Sequence, residues 1–333
     1  MTPPQLTFFC ELEPDTLQSL FADGKVVDHL LALEASVSLG ILDLTDGRAR
    51  MVRTLNDEGI PVIAWQLLPK EQGYWFNASN TPQAAARYAD FQRWTTEHDL
   101  RWDGVGLDIE PDIHDMQGLV GSRWSVLSTL IERAFHGEQL RQAQAQYTML
   151  AARIRADGYR VDSYLIPFIV DERQVGSTLL RRLAGLVDIP VDREVLMLYT
   201  SFFRPRGPGI LWSYGSEAAS IAVGVTGGGV EVGGILAKRP LDWDEFSRDL
   251  LLARYRTDDI HVFSLEGCVT QGFLSHLRGF DWEQSITPPL TMAAEIETYR
   301  KALRTGLWAS AHPLWVAGGA LAAAWALRRL RRR

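Results

Sequence analysis

Short runs of β-branched and aromatic residues alternate with longer amphipathic stretches along the chain as far as about Trp282. Such alternation is the pattern of repeated strand–helix units around a parallel sheet, whose strands are buried on both faces. Eight strands are expected: Leu6–Cys10, Ser36–Leu42, Val62–Gln66, Val105–Ile109, a segment within Tyr159–Val170, Val195–Thr200, Ile221–Val225 and Ile260–Leu265. Helices fall between them at Asp15–Phe21, Arg48–Glu58 before Gly59, Thr81–His98 with Thr81 as N-cap and Pro82 at N1, Ser122–Ala156 with a break, Thr178–Leu186 and Trp243–Tyr255. The count is that of an α/β chain folded as a (β/α)8 TIM barrel, with an open doubly wound sheet as the alternative.

After Trp282 the pattern changes. Residues 283–305 read as a linking helix, so the barrel takes 1–282. Gly306 to Leu327 then carries no charge other than on His312, and LRRLRRR follows. Its length meets the roughly 20 residues needed to cross a hydrocarbon core, which gives 306–333 as a transmembrane or membrane-associated helix with a basic end. Arg328, Arg329, Arg331, Arg332 and Arg333 follow the run, against Arg300, Lys301 and Arg304 before it. The expected localisation is thus membrane-associated through one C-terminal span, with the side of the barrel left open: the arginines after the run lean towards a cytoplasmic C-terminus and so a barrel outside, while the missing signal peptide slightly favours a cytoplasmic barrel on a tail anchor.

Composition narrows the function. With 46% hydrophobic residues the chain buries a large core, and 34 basic against 41 acidic side chains give a net charge of −7, which argues against a nucleic-acid partner. Two cysteines, Cys10 and Cys268, form no metal motif. The seven histidines show no H-x-H or H-E-x-x-H spacing and no G-x-S-x-G occurs, so neither a zinc site nor a serine nucleophile is expected, and no cofactor. Gly224-Val-Thr-Gly227-Gly228-Gly229 lacks the G-K-[S/T] ending of a phosphate cradle and reads as a flexible loop.

The informative segment is Trp102–Asp112, WDGVGLDIEPD. Val105, Leu107 and Ile109 alternate with Gly106, Asp108 and Glu110, so two carboxylates share one face. Outward positions of a barrel strand meet helices and are apolar; Asp108 and Glu110 therefore face inward, near the C-terminal mouth. Neighbouring carboxyls raise each other's affinity for a proton, which suits a general acid. An inward ion pair, with Pro111 ending the strand, is the structural alternative.

This segment resembles the strand-four signature D-G-x-D-x-D-x-E of glycoside hydrolase family 18, the chitinase-like barrels, with Asp103, Gly104, Asp108 and Glu110 in register. Met197-Leu198-Tyr199-Thr200 is similar to that family's M-x-Y-D, and Ser38-Leu39-Gly40 more weakly to its S-x-G-G. The resemblance implies Glu110 as proton donor, Asp108 and Tyr199 on the N-acetyl group of an N-acetylhexosamine-containing glycan, and a substrate-assisted mechanism. Three positions depart: Gly106 replaces the middle Asp, Thr200 the strand-six Asp, and Ser264-Leu265-Glu266-Gly267 lacks the floor tryptophan. A second acid is therefore open among Glu11, Glu13, Glu231 and Glu266. Aromatic Trp75, within Tyr74-Trp75-Phe76, is placed to stack on sugar, with Trp212 and Tyr214 as further aromatics. The expected site is thus Glu110, Asp108 and Tyr199 for catalysis, with Glu11, Trp75, Glu266 and Asp103 binding carbohydrate. A catalytically silent lectin-like barrel and a membrane-tethered interaction module are the rival functions.

Overall fold

A computed structural model describes residues 3–114, 137–229 and 239–330. Glu231, the first part of the expected Ser122–Ala156 helix and Arg331 to Arg333 lie outside the described residues. The eight strands are β1 (Gln5–Cys10), β2 (Ser36–Ile41), β3 (Val62–Gln66), β4 (Gly104–Asp108), β5 (Arg160–Leu165), β6 (Arg193–Met197), β7 (Ser220–Gly224) and β8 (Asp259–Phe263). All neighbours are parallel, and pairing of Thr7 in β1 with His261 in β8 closes the barrel. The open-sheet alternative is excluded by that closure.

The helices in chain order are α1 (Pro14–Phe21), α2 (Lys25–Ala32), α3 (Asp46–Asp57), α4 (Thr81–Glu97), α5 (Gly137–Ala156), α6 (Phe168–Gln174) and α7 (Leu179–Ala184). They continue as α8 (Gly207–Gly215), α9 (Trp243–Arg254), α10 (Leu265–Thr270), α11 (Phe273–Leu277), α12 (Leu290–Ala311) and α13 (Pro313–Leu330). Asn80 rather than Thr81 is the N-cap of α4. Gly59 stops α3 as expected, in a left-handed conformation (φ 78°) that favours glycine.

Strand alternation divides the core in two. Leu6, Phe8 and Cys10 of β1, with their counterparts on other strands, pack outward against the helices. Phe9, Trp65, Tyr164, Val195 and Ala222 fill the barrel interior. Toward the N-terminal ends of the strands the interior is charged: Arg193 joins Asp162 (2.5 Å) to Asp259 (3.4 Å), and Arg160 reaches Asp162 (2.9 Å) and Asp103 (3.0 Å). At the other end, buried Arg48 donates to the carbonyls of Gly40 and Leu12, both at 2.9 Å, and so ties the ends of β1 and β2 together. That fixes the backbone immediately after Glu11.

The last helices correct the expected organisation of the tail. Residues 283–305 are not one linking helix: α12 spans Leu290–Ala311 and docks on the barrel. Its Arg300 is almost fully buried, donates to Asp171 (3.0 Å), Glu217 (2.6 Å) and Glu297 (3.1 Å), and lies over the Tyr214 ring at 3.9 Å. Tyr214, expected as a candidate sugar aromatic, is thus committed to this helix contact. Among the described residues no helix is long and apolar enough to cross a membrane. The apolar run is divided: 306–311 complete α12, and α13 begins at Pro313 and takes Arg328 and Arg329 into its last turn. The expected C-terminal span, the membrane partner and the membrane-associated localisation lose their basis with it.

Candidate active site

Asp108 is the last residue of β4, and the alternation that sends Leu107 outward turns its carboxyl into the barrel. It is 2% exposed. Its Oδ2 accepts a hydrogen bond of 2.9 Å from the indole Nε1 of Trp65, which occupies an inward position on neighbouring β3. Its Oδ1 has no hydrogen-bond partner among the described residues, and the Glu110 carboxyl follows two residues on along the same face. Burial, then the charge of Glu110, holds Asp108 well above the ordinary carboxylate range, while the Trp65 bond opposes the shift. Burial pushes half-buried Glu110 up to about 7, against the stabilising contact with Asp108. The pair keeps one proton close to neutral pH.

The loop after β3 positions this pair. Phe76 donates its amide to the Asp108 carbonyl (2.9 Å), and Glu110 donates its own to the Phe76 carbonyl (3.2 Å), so the loop adds a short strand-like pairing beyond the end of β4. Asn80 Nδ2 donates to the Trp75 carbonyl at 2.8 Å and holds the loop in shape. Tyr74 sits in the left-handed region (φ 62°), which is rare for a bulky residue, and this turns its hydroxyl across the mouth to donate to Glu11 Oε1. Burial, reinforced by the charge of Glu11, keeps the Tyr74 hydroxyl protonated far above the usual tyrosine range.

Tyr199 lies just beyond β6, half-buried, with its ring 5.8 Å from Phe263 and 6.0 Å from Phe202. Burial and then the charges of Glu110 and Asp108 raise its hydroxyl well above the ordinary value, so it too remains a donor. Phe263, at the end of β8, stands 6.2 Å from Trp65. Together these aromatics line one side of the mouth next to the acids.

The remaining expected residues divide. Glu11 joins the site through Tyr74. Glu266 lies in the first turn of α10, 8% exposed, with neither oxygen hydrogen-bonded among the described residues, and burial pushes it up to about 7. It is covered by Gly228, where an added Cβ would stand 2.4 Å from Oε1. Trp75 is also buried, packed edge-on to Tyr74 with centroids 5.4 Å apart. Asp103 is not in the site: it precedes β4 and pairs with Arg160 at the opposite end of the barrel. Cys10 and Cys268, on adjacent segments as barrel closure requires, are both buried and free.

The departures from the family pattern have physical counterparts. A Cβ at Gly106 would lie 2.3 Å from the Tyr164 hydroxyl, so a tyrosine from β5 occupies the space that the middle acid would need, and bonds Ser38 Oγ at 2.6 Å. Thr200 is buried and turned away from the mouth to donate to Asp249 on α9. Trp65 brings an indole into the interior from β3 in place of one at the end of β8. Sequence reasoning missed Trp65, Tyr164 and Phe263, and named Tyr74 only as one aromatic of the loop after β3, not as the partner of Glu11. The period-two alternation places Trp65, Tyr164 and Phe263 inward and could have found them; only the conformation of the loop brings Tyr74 in. Among the described residues no group of three or more His, Cys, Asp or Glu side chains could hold a metal ion.

No family model matches the chain. No curated protein matches it either. Solved structures do. The chain is similar to the PgaB (BpsB) glycoside hydrolase domain from Bordetella bronchiseptica, at 11% identity and a TM-score of 0.48 over 83% of this chain and 98% of that one. It is similar to D-psicose 3-epimerase from Clostridium cellulolyticum H10, at 12% identity and a TM-score of 0.41 over 91% and 99% of the two chains. An L-ribulose 3-epimerase gives 14% identity and a TM-score of 0.41 over 94% and 98%. The barrel itself rests on the strand pairing of this chain.

Proposed function

We propose that the protein is a glycoside hydrolase in which Glu110 is the general acid and Asp108 its partner. The observation that carries this reading is the placement of two carboxyls on one inward face at the C-terminal end of β4, Asp108 buried against the Trp65 indole and Glu110 half-buried beside it and raised to about 7. Glu110 gives its proton to the oxygen of the leaving sugar as the glycosidic bond breaks, and Asp108, fixed by the Trp65 indole, keeps that proton on the pair until the substrate arrives. Tyr199 and Phe263 offer a hydroxyl donor and aromatic faces to the sugar beside the acids. The in-register match to the family 18 signature favours an N-acetylhexosamine-containing glycan as substrate.

The experiment is hydrolysis of a panel of α- and β-linked disaccharides of glucose and N-acetylglucosamine, whose leaving oxygen needs a proton, by the protein and by Glu110→Gln. The substitution keeps the shape and removes the donatable proton, so turnover of natural linkages falls by about 10²–10⁴ while binding persists. Failure of the protein to cleave any member, or equal turnover by Glu110→Gln, refutes the proposal. A silent carbohydrate-binding barrel is the second reading, favoured by Tyr164 standing in the space of the family's middle acid. It predicts sugar binding with no cleavage, unaffected by Glu110→Gln.

A further inference from the structure

The strand-four pair supplies an acid, and hydrolysis also needs a group that brings the nucleophile to the anomeric carbon. Four carboxylates were open for that role in the sequence, and the structure separates them. Glu13 is exposed at the start of α1, where its carbonyl accepts from Leu17, and Glu231 is outside the described residues. Glu266 is sealed beneath Gly228, with the Ser264 hydroxyl and the backbone of Glu11 as its neighbours. Glu11 differs from all three. It follows β1 on the inward side, is half-buried at the mouth, and its charge acts on Asp108, Tyr74 and Tyr199 together. Its Oε1 is held by the Tyr74 hydroxyl, and its Oε2 faces Gly229, where an added Cβ would stand 3.3 Å from that oxygen and 2.7 Å from the Phe263 ring.

From this placement we infer that Glu11 is the second catalytic carboxylate of the site, the base that activates the attacking water, with Tyr74 as its positioning residue. The inference rests on the hydrolase reading. The strand-four pair retains a proton, whereas Glu11 accepts a hydrogen bond from the Tyr74 hydroxyl, which stays protonated. In the step, a water oxygen bonds to the anomeric carbon as the bond from that carbon to the leaving oxygen breaks. Glu11 takes the proton of the water, and Glu110 gives its own to the leaving oxygen. One water is consumed, and solvent returns both carboxyls to their starting states. A base supplied by the protein makes the 2-acetamido group of the substrate dispensable, in keeping with Gly106 and Thr200 standing where the substrate-assisted family has acids.

The test is the pH–rate profile of Glu11→Gln, Glu110→Gln and Tyr74→Phe on the same disaccharide panel, with azide added to Glu11→Ala. Glu11→Gln is expected to lose about 10²–10⁴ in kcat with little change in KM and to lose the acid limb of the profile, whereas Glu110→Gln loses the basic limb. Tyr74→Phe, which keeps the ring, moves the acid limb to higher pH, a shift that a packing role does not produce. Azide restores turnover to Glu11→Ala and is recovered as the glycosyl azide. Loss of activity in Glu110→Gln alone, with the Glu11 variants at wild-type rates, overturns this inference and leaves the hydrolase reading standing. Wild-type rates in both, or no cleavage by the protein, overturns the two together.

Discussion

Glu266 offers a stability measurement that needs no substrate. Its carboxyl is buried, has no hydrogen-bond donor in normal geometry among the described residues, and is raised from 4.5 to about 7. The unfolded chain releases this proton near the ordinary value, the folded chain only near 7, so between the two the folded state binds more protons. Stability therefore falls as pH rises through that window, and the loss is complete above the folded value. A difference of about 2.5 units at 1.36 kcal/mol per unit comes to ~3 kcal/mol. Unfolding entropy of roughly 2.1 cal/mol/K per residue turns this into about 4 °C for a chain of this length. Glu266→Gln removes the titration. Its melting temperature relative to the parent should rise by about 4 °C between pH 4 and pH 8.5, followed by differential scanning calorimetry or urea unfolding at each pH. The sign of the offset at any one pH depends on how the new amide is accommodated, but its change with pH does not. Parallel profiles for the two proteins would refute the burial argument.

Two further outcomes follow from the packing. Ending the chain after His312 should leave the unfolding midpoint unchanged, whereas ending it after Thr305 removes buried Leu307 and the end of α12 and should cost ~2–4 kcal/mol in urea unfolding. Gly106→Ala forces a methyl against the Tyr164 ring and hydroxyl and should destabilise by ~1–3 kcal/mol, while the same substitution at exposed Gly279, which has open space around it, should cost little.

The barrel was legible because each strand is a short apolar run bounded by turn residues, and a run buried on both faces stands out from amphipathic helices around it. The acids of β4 were legible for the same reason: polar residues at every second position of a buried strand have to point inward. What escaped was whatever depends on the path of a loop or on contact across the chain. Tyr74 reaches Glu11 only because Gly73 and Tyr74 are left-handed and Phe76 then pairs with Ile109 beyond the end of β4. Short α8, GPGILWSYG, has no helical period to read, yet it carries the Tyr214 and Ser213 that receive Arg300. The tail was misread because hydropathy sums along the sequence and ignores a helix boundary. The break at His312–Pro313 leaves neither helix with enough apolar length.

The central claim is that Asp108 and Glu110 hold one proton between them near neutral pH. Carboxyl titration by ¹³C NMR on protein labelled at Asp and Glu side chains observes it directly, with Glu110→Gln and Asp108→Asn used to assign the resonances. The account predicts a carboxyl that titrates near pH 7 in the parent, is lost in Glu110→Gln, and moves in Asp108→Asn. Full ionisation of both groups by pH 5 would contradict it.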